Sequence, residues 1–316
     1  MDSFQLGRLT NQTPVKINQY LSYSSVSSVM LELQMAVKYQ RLVDAGAKSI
    51  ELYQDKELTG VAVYRPSEFD TNILGRKTGK IDLAFSFPDL EIASKLVKKL
   101  IKALVEDGLE YVTIRLNASD IVMIQALESN GFQLVDGYVI GLKKCQPVDF
   151  GLTELPLIIR QPKLSDINKL QKKIAPTFIY SRFFRDPILN SEIATEMHSQ
   201  WIENSLTKQI VDEAFVAEID KEPVGFITVE VDHQLNHDYG VKMGHIPLVG
   251  VDPKYRGKQI SQRLTEYVIN NWFVNQNVDQ IRIETQLINY PAARSYEQSG
   301  FKIVDSAVTL RWTNKK

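Results

Sequence analysis

Hydrophobic and polar residues fall along this chain in two rhythms that mark out its elements. Between Glu213 and Asp232 they alternate on either side of Asp220-Lys-Glu-Pro, which predicts a hairpin turning at those residues. Ahead of it, Ile158 to Arg160 reads as a strand. From Ser165 and Asp166, which have the chemistry of helix caps, to Leu170 the apolar positions recur at helical spacing. A second helical region is expected around Glu192 to Leu206. Further on, a short apolar strand from Ile246 to Val251 leads to a turn centred on Arg256-Gly257, and an amphipathic helix begins at about Gln259. A strand over Gln280 to Thr285, a helix starting at about Pro291 and a last strand ending near Trp312 complete the order β-α-α-β-β-β-α-β-α-β.

The same pattern occurs earlier in the chain. Tyr111-Val-Thr-Ile-Arg-Leu, then Asp120 to Leu127, then Glu128-Ser-Asn-Gly-Phe-Gln-Leu-Val-Asp136 runs parallel to Gln280-Ile-Arg-Ile-Glu-Thr, Asn289 to Tyr296 and Glu297-Gln-Ser-Gly-Phe-Lys-Ile-Val-Asp305, 169 residues apart. Solenoid units are far shorter, so the repeat predicts two related domains, 1–150 and 151–316, joined near Cys145-Gln-Pro-Val-Asp-Phe-Gly151. The copies differ where chemistry would lie. Leu127 stands in the register of Tyr296 and Asp120 in that of Asn289. The segment before the first copy's long helix carries Asp89 and Glu91 and has no Arg-Gly turn.

Composition narrows the function classes. The 316 residues are 44% hydrophobic and 24% charged, enough for a folded core, and a net charge of −1 argues against nucleic acid as a partner. The run Lys95, Lys98, Lys99 and Lys102 reads as the solvated face of a helix. A single cysteine, Cys145, excludes an internal disulfide framework and Cys-rich zinc sites, and His198, His233, His237 and His245 form no helical metal pair, so no metal is expected. No apolar run reaches membrane-span length and the N-terminus has no secretory pattern, so neither a membrane nor export is expected and the expected location is the cytoplasm.

Arg256-Gly257-Lys258-Gln259-Ile260-Ser261 places a turn at a helix N-terminus, where unpaired N–H groups and the helix dipole favour a diphosphate. This stretch resembles the Arg/Gln-x-x-Gly-x-Gly/Ala signature of the GNAT superfamily of N-acetyltransferases, with Gln259 at the usual Gly and Ser261 at the Gly/Ala position. Asn289-x-x-Ala-x-x-x-Tyr296-Glu-x-x-Gly-Phe301 resembles the family's second signature. The resemblance implies an α/β (α+β) chain of tandem GNAT-like domains, each a mixed twisted sheet flanked by helices. The first is degenerate and should not bind coenzyme A. The second should bind acetyl-CoA as co-substrate.

Several roles follow from the resemblance. Leu248, Val249, Gly250 and Val251 would hold the pantetheine arm and polarise the acetyl carbonyl. Arg256 to Ser261 would hold the diphosphate, and Asn289 the pantetheine or a helix-terminal water. Tyr296 would protonate the leaving thiolate, and Glu230 or Asp232, on the same side of one strand, would accept the amine proton. Ser181-Arg-Phe, Gln200-Trp-Ile-Glu-Asn, Thr285-Gln286, Ala292-Ala293, Gln298-Ser-Gly and Glu68 to Ile81 are similar to the dTDP-fucosamine acetyltransferases. That similarity implies a nucleotide-linked amino sugar as acceptor, with Arg182, Arg185 and Trp201 lining its site. Trp201 could equally be core, and Arg182 and Arg185 could belong to a surface loop. An amino acid, polyamine, antibiotic or peptide amine stays open as acceptor, as does a noncatalytic acyl-CoA-binding regulator. The expected partner is a small-molecule amine, and a homodimer is left open.

Overall fold

The computed structural model describes residues 37–151, 156–233, 237 and 241–314. They fall into two compact units, one comprising the described residues of 37–137 with 305–314 and the other those of 138–304. The expected boundary at 150/151 lies inside the second unit. Strand pairing explains the different division. Residues 138–144 pair with a strand of the second unit, and residues 307–313 with a strand of the first.

The first unit contains β1 (Lys48–Gln54), β2 (Glu57–Pro66), α1 (Glu68–Leu74), β3 (Thr78–Ser86), α2 (Leu90–Glu106), β4 (Tyr111–Asn117), α3 (Ile121–Ser129) and the start of β5 (Gln133–Lys144), and it is completed by the end of β12 (Lys302–Thr313). Its sheet order is β1-β2-β3-β4-β12, with β3 and β4 parallel. Helix α2 forms because Ala93, Leu96, Val97, Leu100 and Leu104 recur every three or four residues and are all buried against the sheet. Asp89 Oδ1 closes its N-terminus by accepting from Ile92 N at 2.9 Å.

The second unit runs through β6 (Ile158–Arg160), α4 (Leu164–Ile174), α5 (Arg182–Arg185), α6 (Ser191–Leu206), β7 (Glu213–Ile219), β8 (Glu222–Val231), β9 (Met243–Ile246), β10 (Val249–Val251), α7 (Ile260–Val268), β11 (Gln280–Gln286) and α8 (Tyr290–Gln298). Its sheet order is β5-β11-β9-β8-β7-β6, with β11 and β9 parallel and β10 paired to β8. Each unit thus carries a mixed sheet flanked by helices, as expected. The repeat holds in detail: β4, α3 and β5 begin and end 169 residues before β11, α8 and β12.

Two local expectations shift. The hairpin turns on Asp220 and Lys221 alone, both left-handed (φ 51° and 64°), the geometry whose twist matches paired strands. Pro223 enters β8 beside a bulge at Ala217/Glu218. Asp55 and Lys56 make the same turn in the first unit (φ 47° and 69°). Helix α4 starts at Leu164 rather than after Ser165: Asp166 is its third residue, accepts from Lys163 N at 2.7 Å and pairs with Arg160.

Candidate active site

Two strands share one edge of β8 in succession. β9 pairs at Val231↔Gly244 and Glu230↔His245, and β10 at Ile227↔Val249, Phe226↔Gly250 and Gly225↔Val251. The register slips by one residue at Pro247-Leu248. Proline has no N–H to give a ladder, and Leu248 N instead takes Thr228 Oγ1 as acceptor at 3.0 Å. The single strand expected over 246–251 is therefore broken in two. β9 runs parallel to β11 as far as Ile246↔Ile283, whereas β10 follows β8 and β11 continues to Gln286. Beyond that point β10 and β11 diverge and leave a gap.

Alternation along β10 decides which main-chain groups face the gap. Leu248 O accepts from Thr228 N and Asp252 N donates to Val224 O, so Leu248, Gly250 and Asp252 turn toward β8. Val249 and Val251 turn the other way. Of the four residues expected to hold a cofactor, Leu248 and Gly250 are thus committed to the sheet. Gly250 is required by packing: a Cβ there would lie 2.7 Å from both Ile174 and Phe226 side-chain atoms.

The chain leaves β10 through a turn at Pro253–Tyr255, fixed by buried Asp252, whose Oδ1 accepts from Lys254 N at 3.0 Å. Arg256 is exposed and donates to Thr177 Oγ1 at 2.8 Å; Lys258 lies 5.1 Å from the Tyr255 ring centre. Gly257 and Gln259 both have positive φ (77° and 58°). The glutamine therefore occupies the left-handed conformation that glycine adopts without steric cost. Ile260 is buried with Leu264 and Val268, so its side chain is core, while Ser261 is half-buried and its carbonyl accepts from Thr265 Oγ1.

No side chain caps α7. Ser67, Asp89, Asp120, Asn190 and Asn289 all cap their own helices. The first unit thus supplies its own carboxylate at α2, whereas the N-cap residue of α7 leaves the first N–H groups of that helix without a side-chain acceptor.

Asn289 is occupied structurally. Its Oδ1 accepts from Ala292 N at 3.4 Å and its Nδ2 donates to Thr285 Oγ1 at 3.0 Å. Asp120, in the same register of the first copy, caps α3 through Met123 N at 3.1 Å. Capping alone accounts for both residues. Tyr296 differs from its counterpart: Leu127 is fully buried, whereas Tyr296 is half-buried and lines a small surface pocket with Ile283, Thr285 and Phe301. Burial pushes its phenol up to about 12, and among the described residues its hydroxyl has no hydrogen-bond partner. Phenol and pocket lie on the face of the sheet where Ile227, Val229 and Ile283 pack against α7.

The opposite face carries Phe226, packed against α4 and α6, and by alternation Thr228 and Glu230. Glu230 Oε1 lies 2.8 Å from His245 Nδ1 directly across the strand pair. Arg282 is the parallel-strand neighbour of His245 and forms an ion pair with Glu284. The histidine was not legible as a site residue from spacing; its position two residues before the slip at Pro247 is the one signal that could have singled it out.

The substrate residues expected near α5 separate. Arg182 is half-buried with its guanidinium 4.3 Å from the Phe183 ring centre. Trp201 is half-buried and packs edge-on against Phe183 (5.4 Å) and His198 (5.3 Å). Arg185 is exposed. Among the described residues no group of three His, Cys, Asp or Glu side chains could hold a metal ion, and no helix is long and apolar enough to cross a membrane. Burial lifts the Cys145 thiol to about 11, far from a reactive thiolate.

Comparison with known proteins agrees with this geometry. The acetyltransferase (GNAT) family matches residues 179–301. The spore coat polysaccharide biosynthesis protein SpsD of Bacillus subtilis is 25% identical over 256 residues, 80% of this chain and 83% of that protein. Among solved structures, a GCN5-related N-acetyltransferase from Sphaerobacter thermophilus superimposes with a TM-score of 0.62 at 15% identity, over 98% of this chain and 91% of that one. A tandem GNAT protein from the clavulanic acid biosynthesis pathway gives 0.57 at 12% identity, over 99% and 95%. Residues 179–301, which hold the diverging strands, the uncapped helix and Tyr296, are thus the part of the chain that matches the acetyltransferase (GNAT) family.

Proposed function

We propose that this chain transfers acetyl from acetyl-CoA directly to the primary amine of a nucleotide-linked amino sugar, with both reactants bound together. The observation that carries the reading is the pairing of an uncapped helix N-terminus with a strand that parts from its neighbour just before it. A diphosphate fits the N–H groups of α7 beside Arg256, Gly257 and Lys258. An extended amide-bearing arm fits the gap, where Val249 and Val251 offer main-chain donors and acceptors as another strand would.

Side-chain placement orders the chemistry. The amine reaches the thioester from the Glu230 face and attacks the acetyl carbonyl, whose developing charge a β10 N–H stabilises. The C–S bond breaks on the Tyr296 face, and the phenol protonates the sulfur. Burial keeps that phenol protonated throughout the neutral range. Holding both reactants in one gap supplies much of the acceleration.

The sugar-nucleotide acceptor is supported by the spore coat polysaccharide relative and by Arg185, exposed at the end of α5, where a diphosphate can be bound. The test is acetylation by the purified chain of dTDP- and UDP-linked amino sugars, free amino sugars, polyamines and amino acids. A dTDP-linked amino sugar should be the best acceptor, and Arg185→Ala should raise its KM about tenfold or more while sparing that of acetyl-CoA. Equal reaction of free sugar, polyamine or amino acid would overturn the acceptor assignment and leave acetyl transfer standing.

A further inference from the structure

Glu230 has a partner that changes its role. Its Oε1 lies 2.8 Å from His245 Nδ1, the two residues face each other across β8 and β9, and both side chains are partly exposed, 35% and 23%. A carboxylate at that distance keeps the imidazole proton on Nδ1 and places the basic lone pair on Nε2. His245 is also nearer the slip at Pro247-Leu248 along the chain, on the strand that continues into the gap. We infer that His245 is the base that takes the proton of the acceptor amine and that Glu230 is its positioning residue, a step that rests on the acetyl-transfer reading above.

The step balances without any further reactant. An ammonium acceptor gives one proton to His245 Nε2, and the freed nitrogen pair forms the C–N bond. The C–S pair leaves with sulfur, which takes the Tyr296 proton. The nitrogen then sheds its surplus proton, which restores the phenol through solvent, and the imidazolium discharges to water. The imidazolium is stabilised while it exists by Glu230 on β8. It is opposed by Arg282 on β11, whose own charge is met by Glu284.

The test uses the full chain with two acceptors, a dTDP-linked 4-amino sugar and hydroxylamine, the second of which is already neutral at pH 7 and needs no base. His245→Asn should lower turnover of the sugar about a hundredfold, lower that of hydroxylamine far less, and move the acidic limb of the sugar's pH–rate profile up to the ionisation of the acceptor ammonium itself. Glu230→Gln should keep that limb but move it to lower pH, and NMR of the imidazole should show the His245 titration moving the same way by about one unit. Acetyl-CoA affinity, followed by calorimetry, should stay unchanged in both variants. Equal losses on both acceptors, or an acidic limb left unmoved in His245→Asn, would overturn the assignment. A wild-type chain that binds acetyl-CoA yet acetylates neither acceptor would defeat the acetyl-transfer reading. The dyad is then judged by NMR alone, and a His245 titration unmoved in Glu230→Gln overturns it.

Discussion

Acidification should loosen the second unit through one buried histidine. His198 is 2% exposed, its Nδ1 lies 2.7 Å from Ala194 O, and its ring stacks on Phe178 at 4.8 Å with Phe183 and Trp201 edge-on. Burial, reinforced by the charge of Arg182 and opposed by the Ala194 hydrogen bond, lowers it from 6.5 to about 4. Above 6.5 neither the folded nor the unfolded chain holds this proton, and it has no effect. Between 6.5 and about 4 the unfolded chain binds the proton and the folded one does not, so stability falls as pH falls, by about 1.4 kcal/mol per unit and by about 3 kcal/mol in all. The assay is urea unfolding followed by tryptophan fluorescence from pH 7.5 to 4.5, for the wild type and His198→Gln. Carboxylates such as Asp166 titrate in both proteins and cancel in the difference. The wild type should lose about 2–3 kcal/mol more than the variant over this range. Parallel curves would show that the aromatic cluster admits the charge and would refute the reasoning.

Three further outcomes follow from the site. Tyr296→Phe should lower turnover about a hundredfold with acetyl-CoA affinity unchanged, measured by steady-state kinetics and calorimetry; an unchanged rate at a chemistry-limited step would remove the phenol from the mechanism. Gln259→Gly should relieve the left-handed backbone and raise stability by about 1 kcal/mol or less, since glycine also loosens the unfolded chain, and a thermal melt reads the sign. Calorimetry of the full chain should find one acetyl-CoA site, abolished by Arg256→Glu without unfolding, because Asp89 already fills the equivalent helix end in the first unit; two sites would contradict that reading.

The sequence by itself determined the elements and the repeat, because both rest on short-range chemistry. A Gly-Phe after a helix, an Asx residue ahead of one and alternating apolar runs act within a few residues, so β4, α3 and β5 match β11, α8 and β12 end for end. The turn at Arg256-Gly257 and the helix start that follows it were legible for the same reason, being contiguous in the chain. Even the cap formed by Asn289 was readable, since it lies three residues before the N–H it holds. The tertiary structure alone decided the rest. The break at Pro247-Leu248 depends on Thr228, twenty residues earlier, supplying the acceptor for Leu248 N. The Glu230–His245 pair depends on strand register, and the edge-on contact of Trp201 with Phe183 depends on α5 meeting α6. The unit boundaries fell inside β5 and β12 because a strand belongs with the partner that satisfies its main-chain hydrogen bonds, and no signal within the strand's own residues names that partner.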